Sequence, residues 1–180
     1  MIALLLANGF EEAEALVPCD FLRRAGLDVR LVSIYDTLTV TGGHGICVQC
    51  DLCLKELGDL PQAVILPGGL GGVQELAASP ACQKLVKDCY RAQGVIGAIC
   101  AAPTLLSAWG LTDDKNLTCY PDMQDQATCR SWQNSPCVTD GRLVTSMAAG
   151  TASEFAFALI EALKDAACAQ EVARQVYFPR

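Results

Sequence analysis

Three runs in this chain hold no charged residue and are bounded by turn signals: "IALLLA" (2–7), "AVILPGG" (63–69) with its Gly-rich end, and "VIGAI" (95–99). Successive side chains of a strand point to opposite faces, so an unbroken apolar run needs cover on both sides. A fourth run, "DVRLVSI" (28–34), reads as the next strand. Between the runs lie helical segments. "EEAEALVPCDFLRRAG" (11–26) has acidic residues first, Arg last and Gly26 as its stop, and "SPACQKLVKDCYRAQG" (79–94) opens on Ser79 as N-cap and Pro80. "AAPTLLSAWG" (101–110), "TASEFAFALIEALKD" (151–165) and a stretch from Ala166 complete the helices. "LTVTGGHGICVQCDL" (38–52) and "CVTDGRLVTSM" (137–147), with its Asp-Gly pair, read as hairpins. The alternation predicts an α/β three-layer sandwich over residues 1–180: a mostly parallel, flavodoxin-like sheet with helices on both faces, a small hairpin and no second domain.

Composition narrows the function. A net charge of -7 and the lack of a basic stripe argue against nucleic acid as partner, since phosphate backbones are bound by clustered Lys and Arg. Charges, Gly or Pro interrupt each apolar run before membrane-spanning length, and "MIALLLANGFEEAEA" lacks the make-up of a signal peptide, so no membrane association and a cytoplasmic location are expected. The eleven Cys are therefore expected to be reduced, most of them as small core hydrophobes.

One thiol differs in its setting. Cys100 lies at a strand-to-helix turn in "GAICAAP" (97–103), where backbone N–H groups and the positive end of a helix stabilise a thiolate. Its neighbours Gly97, Ala98, Ala101 and Ala102 are small, which suits a sharp corner that exposes a nucleophile and equally suits an inert, tightly packed one. A nucleophilic Cys commonly works with His, and the single His of the chain, His44, falls among glycines in the hairpin. The other partners are carboxylates: Glu11, Glu12 and Glu14 follow the first strand on the same sheet edge, either as solvated complements to a helix dipole or, if one faces inward, as a proton-sharing acid.

The set "NGFEEAEALVPCDFLRRAGLDV", "VILPGG", "AICAAP" and "TSMAAGTASEFAFALIEAL" resembles the ThiJ/PfpI superfamily, in the branch of the parkinsonism-associated deglycase DJ-one and the bacterial ThiJ-like chaperones. The resemblance implies that Cys100 is the reactive thiolate and Glu14 its protonated carboxyl partner. It also implies an oxyanion pocket formed by the backbone N–H groups of Gly69 and Ala101. His44 takes the place of a basic residue that some members contribute across a homodimer interface, and Tyr120, in "CYP", stands where other members have a pocket His. Ala101 replaces the His that follows the Cys in protease-like relatives, which removes support for a cysteine peptidase. The implied activity is cofactor-independent, Cys-dependent conversion of small dicarbonyls or glycated substrates, as glyoxalase III-like lyase or protein deglycase (hydrolase), with a role in stress protection. The alternative is a redox-sensing stress protein or chaperone whose Cys100 is oxidised to a sulfinate. A thiamine-pathway (hydroxyethylthiazole monophosphate) role attaches to the ThiJ name and has no residue in its favour.

Other patterns carry less. Cys47, Cys50 and Cys53 have C-x2-C-x2-C spacing, but in an extended strand residues three apart point to opposite faces, so no metal is expected. "LPGGLGG" lacks the Lys and Ser/Thr of a P-loop and the spacing of a dinucleotide site, so no cofactor is expected. The "NLT" sequon at Asn116 matters only in a secreted protein.

Overall fold

A computed structural model describes residues 1–179. The chain runs β1 (Ile2–Leu6), α1 (Glu12–Arg24), β2 (Val29–Ser33), then the hairpin β3 (Thr39–Thr41) and β4 (Cys47–Gln49), and a short β5 (Leu52–Cys53). It continues with β6 (Ala63–Leu66), α2 (Leu70–Ala78), α3 (Pro80–Arg91), β7 (Val95–Ile99), α4 (Pro103–Ala108), β8 (Asn116–Leu117) and β9 (Ser131–Trp132). The hairpin β10 (Cys137–Asp140) and β11 (Leu143–Ser146) leads into α5 (Ala152–Leu163) and α6 (Ala166–Gln175). Seven strands form the central sheet in the order β10-β11-β7-β6-β1-β2-β5, parallel except at the β10–β11 pair. This is the mostly parallel α/β sheet, flanked by helices, that the apolar runs predict.

The sides of β1 show why the runs must be unbroken. Ile2, Leu4 and Leu6 join a core with Leu22 of α1, Phe155 and Leu159 of α5 and Val172 of α6. Ala3, Leu5 and Ala7 join the opposite core with Leu76 of α2, Val86 of α3 and Leu106 of α4. A polar residue at either set would be buried without a partner. All eleven thiols are free, and Cys19, Cys50, Cys53, Cys82, Cys89 and Cys119 are buried. Among the described residues no helix is long and apolar enough to cross a membrane.

Two elements depart from expectation. The segment after "LPGG" is a helix, α2, where a Gly-rich turn leading to Ser79 was expected. Gly71 and Gly72 in its first turn weaken the local helix signal. Gly72 is there for space: a Cβ on it would lie 2.9 Å from the Phe10 backbone. Residues 101–110 form a shorter helix than expected, because the corner at Cys100 and Ala101 is a turn and α4 starts only at Pro103.

Candidate active site

The order of strands reverses between β1 and β6, since β2 lies on one side of β1 and β6 on the other. In open α/β sheets ligands bind beyond the carboxyl ends of the strands at such a point. There the turn after β1 delivers α1 with Glu14, the turn after β6 delivers Gly68 and Gly69, and the turn after β7 delivers Cys100.

Cys100 has φ +63°, a left-handed conformation that costs a non-glycine residue about 1–3 kcal/mol and persists only where its surroundings enforce it. They do so from both sides. The Cys100 N–H donates to the Ser146 carbonyl of β11 at 2.9 Å, and its own carbonyl accepts the Tyr120 N–H at 2.9 Å. The thiol is thereby turned toward Glu14, with which it hydrogen-bonds, and toward the N–H groups of Gly69 and Ala101. These are the four groups expected from sequence, now in one place.

Glu14 is 1 % exposed. Burial pushes its carboxyl up to about 7, against the pull of the Gly68 N–H, which donates to Oε2 at 2.8 Å, and of hydrogen bonds from Cys100 and the Ala149 N–H. Burial also pushes the Cys100 thiol up to about 12, the negative charge of Glu14 adds to the rise, and the Ala101 and Gly69 N–H groups oppose it. The resting thiolate expected at a helix start is therefore outweighed by burial. While Glu14 is ionised the proton stays on sulfur; once Glu14 takes it up, the repulsion disappears and its O–H can donate to the thiolate. The two groups titrate as a coupled pair, with the resting proton on sulfur.

Gly68 keeps the pair together. A side chain at this position would run into the Glu14 carboxylate and the Cys100 Cβ, while Gly69, at φ +86°, lies against the backbone of Gly9 and Phe10. Above them is a cavity of about 460 Å³, floored by Cys100 and Ala101 and walled by Glu11, Leu70, Tyr120, Asp122 and Met123. Tyr120 thus lines the cavity. Asp122 and Met123 belong to the 3-10 turn Pro121–Gln126, whose polar sequence carries no local sign that it closes over a thiol.

His44 lies beside the site and is not among the cavity-lining residues. Its Nδ1 is 2.8 Å from Glu12 Oε2, while Glu12 Oε1 accepts the His44 N–H at 2.8 Å. Burial alone would raise the Glu12 pKa, but the imidazole and the His44 and Ile46 N–H groups overcome it and hold it at about 2. In return Glu12, and then Glu11, raise the pKa of His44. Glu11, Glu12 and His44 bring possible metal-ligand atoms within 4.8 Å of one another. The His44–Glu12 ion pair accounts for that proximity without an ion. The C-x2-C-x2-C cysteines are dispersed: Cys47 is exposed on the hairpin and Cys50 lies in the core beneath α1.

Known proteins share this fold over nearly the whole chain. Residues 1–162 match the DJ-1/PfpI family. Protein dj-1beta of Drosophila melanogaster is 37 % identical over 174 residues, covering 95 % of this chain and 93 % of that protein. A glutathione-independent glyoxalase of Caenorhabditis elegans is 34 % identical over 166 residues, covering 91 % of this chain and 88 % of that protein. The crystal structure of Drosophila melanogaster DJ-1beta superposes with a TM-score of 0.95 at 35 % identity, covering 99 % of this chain and 98 % of that one. With sequence similarity running almost from end to end and the same fold beneath it, the chain belongs to the DJ-1/PfpI family.

Proposed function

We propose that this protein converts small reactive dicarbonyls, such as methylglyoxal, to hydroxy acids without a cofactor. One observation carries the reading: a half-buried thiol and a buried carboxyl face each other beside two backbone N–H groups at the floor of a cavity open to a small molecule. Cys100 Sγ adds to the aldehyde carbon as its proton passes to Glu14, and the Gly69 and Ala101 N–H groups stabilise the oxyanion. Glu14 gives that proton to the adduct, completing the hemithioacetal, and, ionised again, carries the proton of the former aldehyde carbon to the neighbouring carbonyl carbon while the hydroxyl proton passes to that carbonyl's oxygen, leaving a 2-hydroxyacyl thioester on Cys100. Water releases it, so that methylglyoxal plus water gives lactate. A carboxyl near 7 suits both giving and taking a proton at neutral pH. The family relative named as a glyoxalase supports the same chemistry here. Purified protein is expected to form lactate from methylglyoxal without added thiol, and Cys100→Ser to lose that activity. Full activity in Cys100→Ser would sink the mechanism.

The same donors favour a second reading, a redox sensor. A sulfinate on Cys100 would accept hydrogen bonds from the two N–H groups and from protonated Glu14. Peptide mass spectrometry after mild peroxide treatment separates the two. A stable sulfinate confined to Cys100, with no dicarbonyl turnover, favours the sensor.

A further inference from the structure

The end of β11, which holds Cys100 in place, carries a pair of hydroxyls that lie outside the cavity lining. Ser146, the last residue of β11, is fully buried, and its carbonyl accepts the Cys100 N–H at 2.9 Å. Its Oγ is 2.7 Å from the Pro136 carbonyl and 2.7 Å from Thr151 Oγ1. Thr151 closes the 3-10 turn Ala149–Thr151 and is the N-cap of α5. A threonine at an N-cap commonly gives its oxygen to an N–H in the first turn of its own helix. Thr151 makes no such bond: Oγ1 turns back to the Ala148 carbonyl at 2.9 Å, accepts the Ala148 N–H at 3.2 Å and meets Ser146. Either hydroxyl can donate across their contact while the other serves its carbonyl. A capping residue that gives up its cap breaks a local rule, and such breaks fall at functional or strained sites. The turn that Thr151 closes carries a group aimed at Glu14. Against burial, which raises its pKa, the Glu14 carboxyl has hydrogen bonds to the Gly68 N–H, to Cys100 and to the Ala149 N–H. Gly68 comes from the end of β6, whereas Ala149 opens this turn.

Resting on the proposed proton exchange between Cys100 and Glu14, we infer that Ser146 and Thr151 are positioning residues for it: their hydroxyl contact holds the end of β11 against Cys100 and the following turn against Glu14. Breaking the contact frees the turn and withdraws the Ala149 N–H. The ionised carboxyl is then less stabilised, so Glu14 keeps its proton to higher pH. The other titratable groups that act on Glu14 are Cys100, at the end of β7, and Glu11, on its own helix. Glu154 of α5 lies beside Cys137 instead, and His44 answers to Glu12 and Glu11. A second copy of the chain brings the same charges to parent and variant, so a difference between them isolates the contact.

Three variants separate positioning from packing. Thr151→Val removes one hydroxyl at nearly constant volume from a half-buried place, Ser146→Ala removes the other, and Thr151→Ser keeps the contact. Carbon-13 spectra of protein labelled at the glutamate side-chain carboxyls follow protonation without turnover, the Glu14 signal being identified by its loss in Glu14→Gln. The Glu14 titration is expected to move up by about half a pH unit or more in Thr151→Val and in Ser146→Ala, and to stay with the parent in Thr151→Ser. The rising, acidic limb of lactate formation against pH should move with it, because Glu14 must be ionised to take the thiol proton. Lost packing alone would lower thermal stability and leave the titration in place. An unmoved titration in folded Thr151→Val or Ser146→Ala, or an equal displacement in Thr151→Ser, would overturn the inference. A displaced titration in a protein that forms no lactate would sink the enzymatic reading and leave the positioning standing. Lactate formation with an unmoved titration would do the reverse.

Discussion

Glu14 holds its carboxyl in a place that disfavours its charge. Burial raises its pKa from 4.5 to about 7, so the folded chain binds the Glu14 proton more tightly than the unfolded chain does. The sign follows from linkage: this contribution to stability is complete below pH 4.5 and is lost as pH rises through about 7. The ionised form then costs about 3 kcal/mol, from the displacement of 4.5 to about 7. Glu14→Gln keeps an acceptor for the Gly68 N–H but has no charge to bury. It is expected to be more stable than the parent above pH 7, by up to about 3 kcal/mol, and to show a much smaller difference near pH 4.5. Urea denaturation at the two pH values measures this, and a stability difference that does not change with pH would refute it. The same variant should lose lactate formation, so that stability and activity part ways at a single residue.

At the scale of elements, β7 and α5 show how close packing decides sequence. Gly97 lies in the middle of β7, and a Cβ there would stand 2.9 Å from Leu159 Cδ2 and 3.0 Å from Phe155 Cζ of α5. Gly97→Val is expected to cost about 1–3 kcal/mol through overpacking, seen as a lower thermal midpoint. A midpoint equal to the parent's would mean that α5 shifts freely, contrary to its packing. The main strands and the Cys100 corner are legible in the sequence because their signals are local: an apolar run, then small residues, then Pro103. Helix α2 is not legible, because Gly71 and Gly72 weaken its local signal and Gly72 answers to the approach of Gly9 and Phe10, which lie some sixty residues away in the chain. Asp122 and the Glu12–His44 pair escape notice for a similar reason, since their roles exist only once distant segments meet. Cys100 and Glu14 could be paired from sequence by family resemblance, and the residues themselves left Glu11 and Glu12 equally open. That burial raises both groups and leaves the resting proton on sulfur needed the fold.

For the molecule as a whole, the resemblance implies a homodimer in which His44 reaches toward a partner's pocket. The hairpin turn that carries His44 also leaves Ile46 52 % exposed. Light scattering is expected to give about twice the chain mass of 19.1 kDa, through the paired interface usual in such assemblies. A single-chain mass at tens of micromolar protein would count against it. The site within one chain is already collective: Glu14 comes from α1, Gly69 and Cys100 from two strand-end turns, and Ser146 and Tyr120 fix the cysteine from two more segments. Its left-handed backbone is a latch held shut by two hydrogen bonds. If the docking of either segment loosens, Cys100 can relax into an ordinary turn while sheet and helices stay intact. The lactate-forming activity that depends on this one thiol would then report on tertiary registration across the chain, and should fade during gentle denaturation before the secondary structure does.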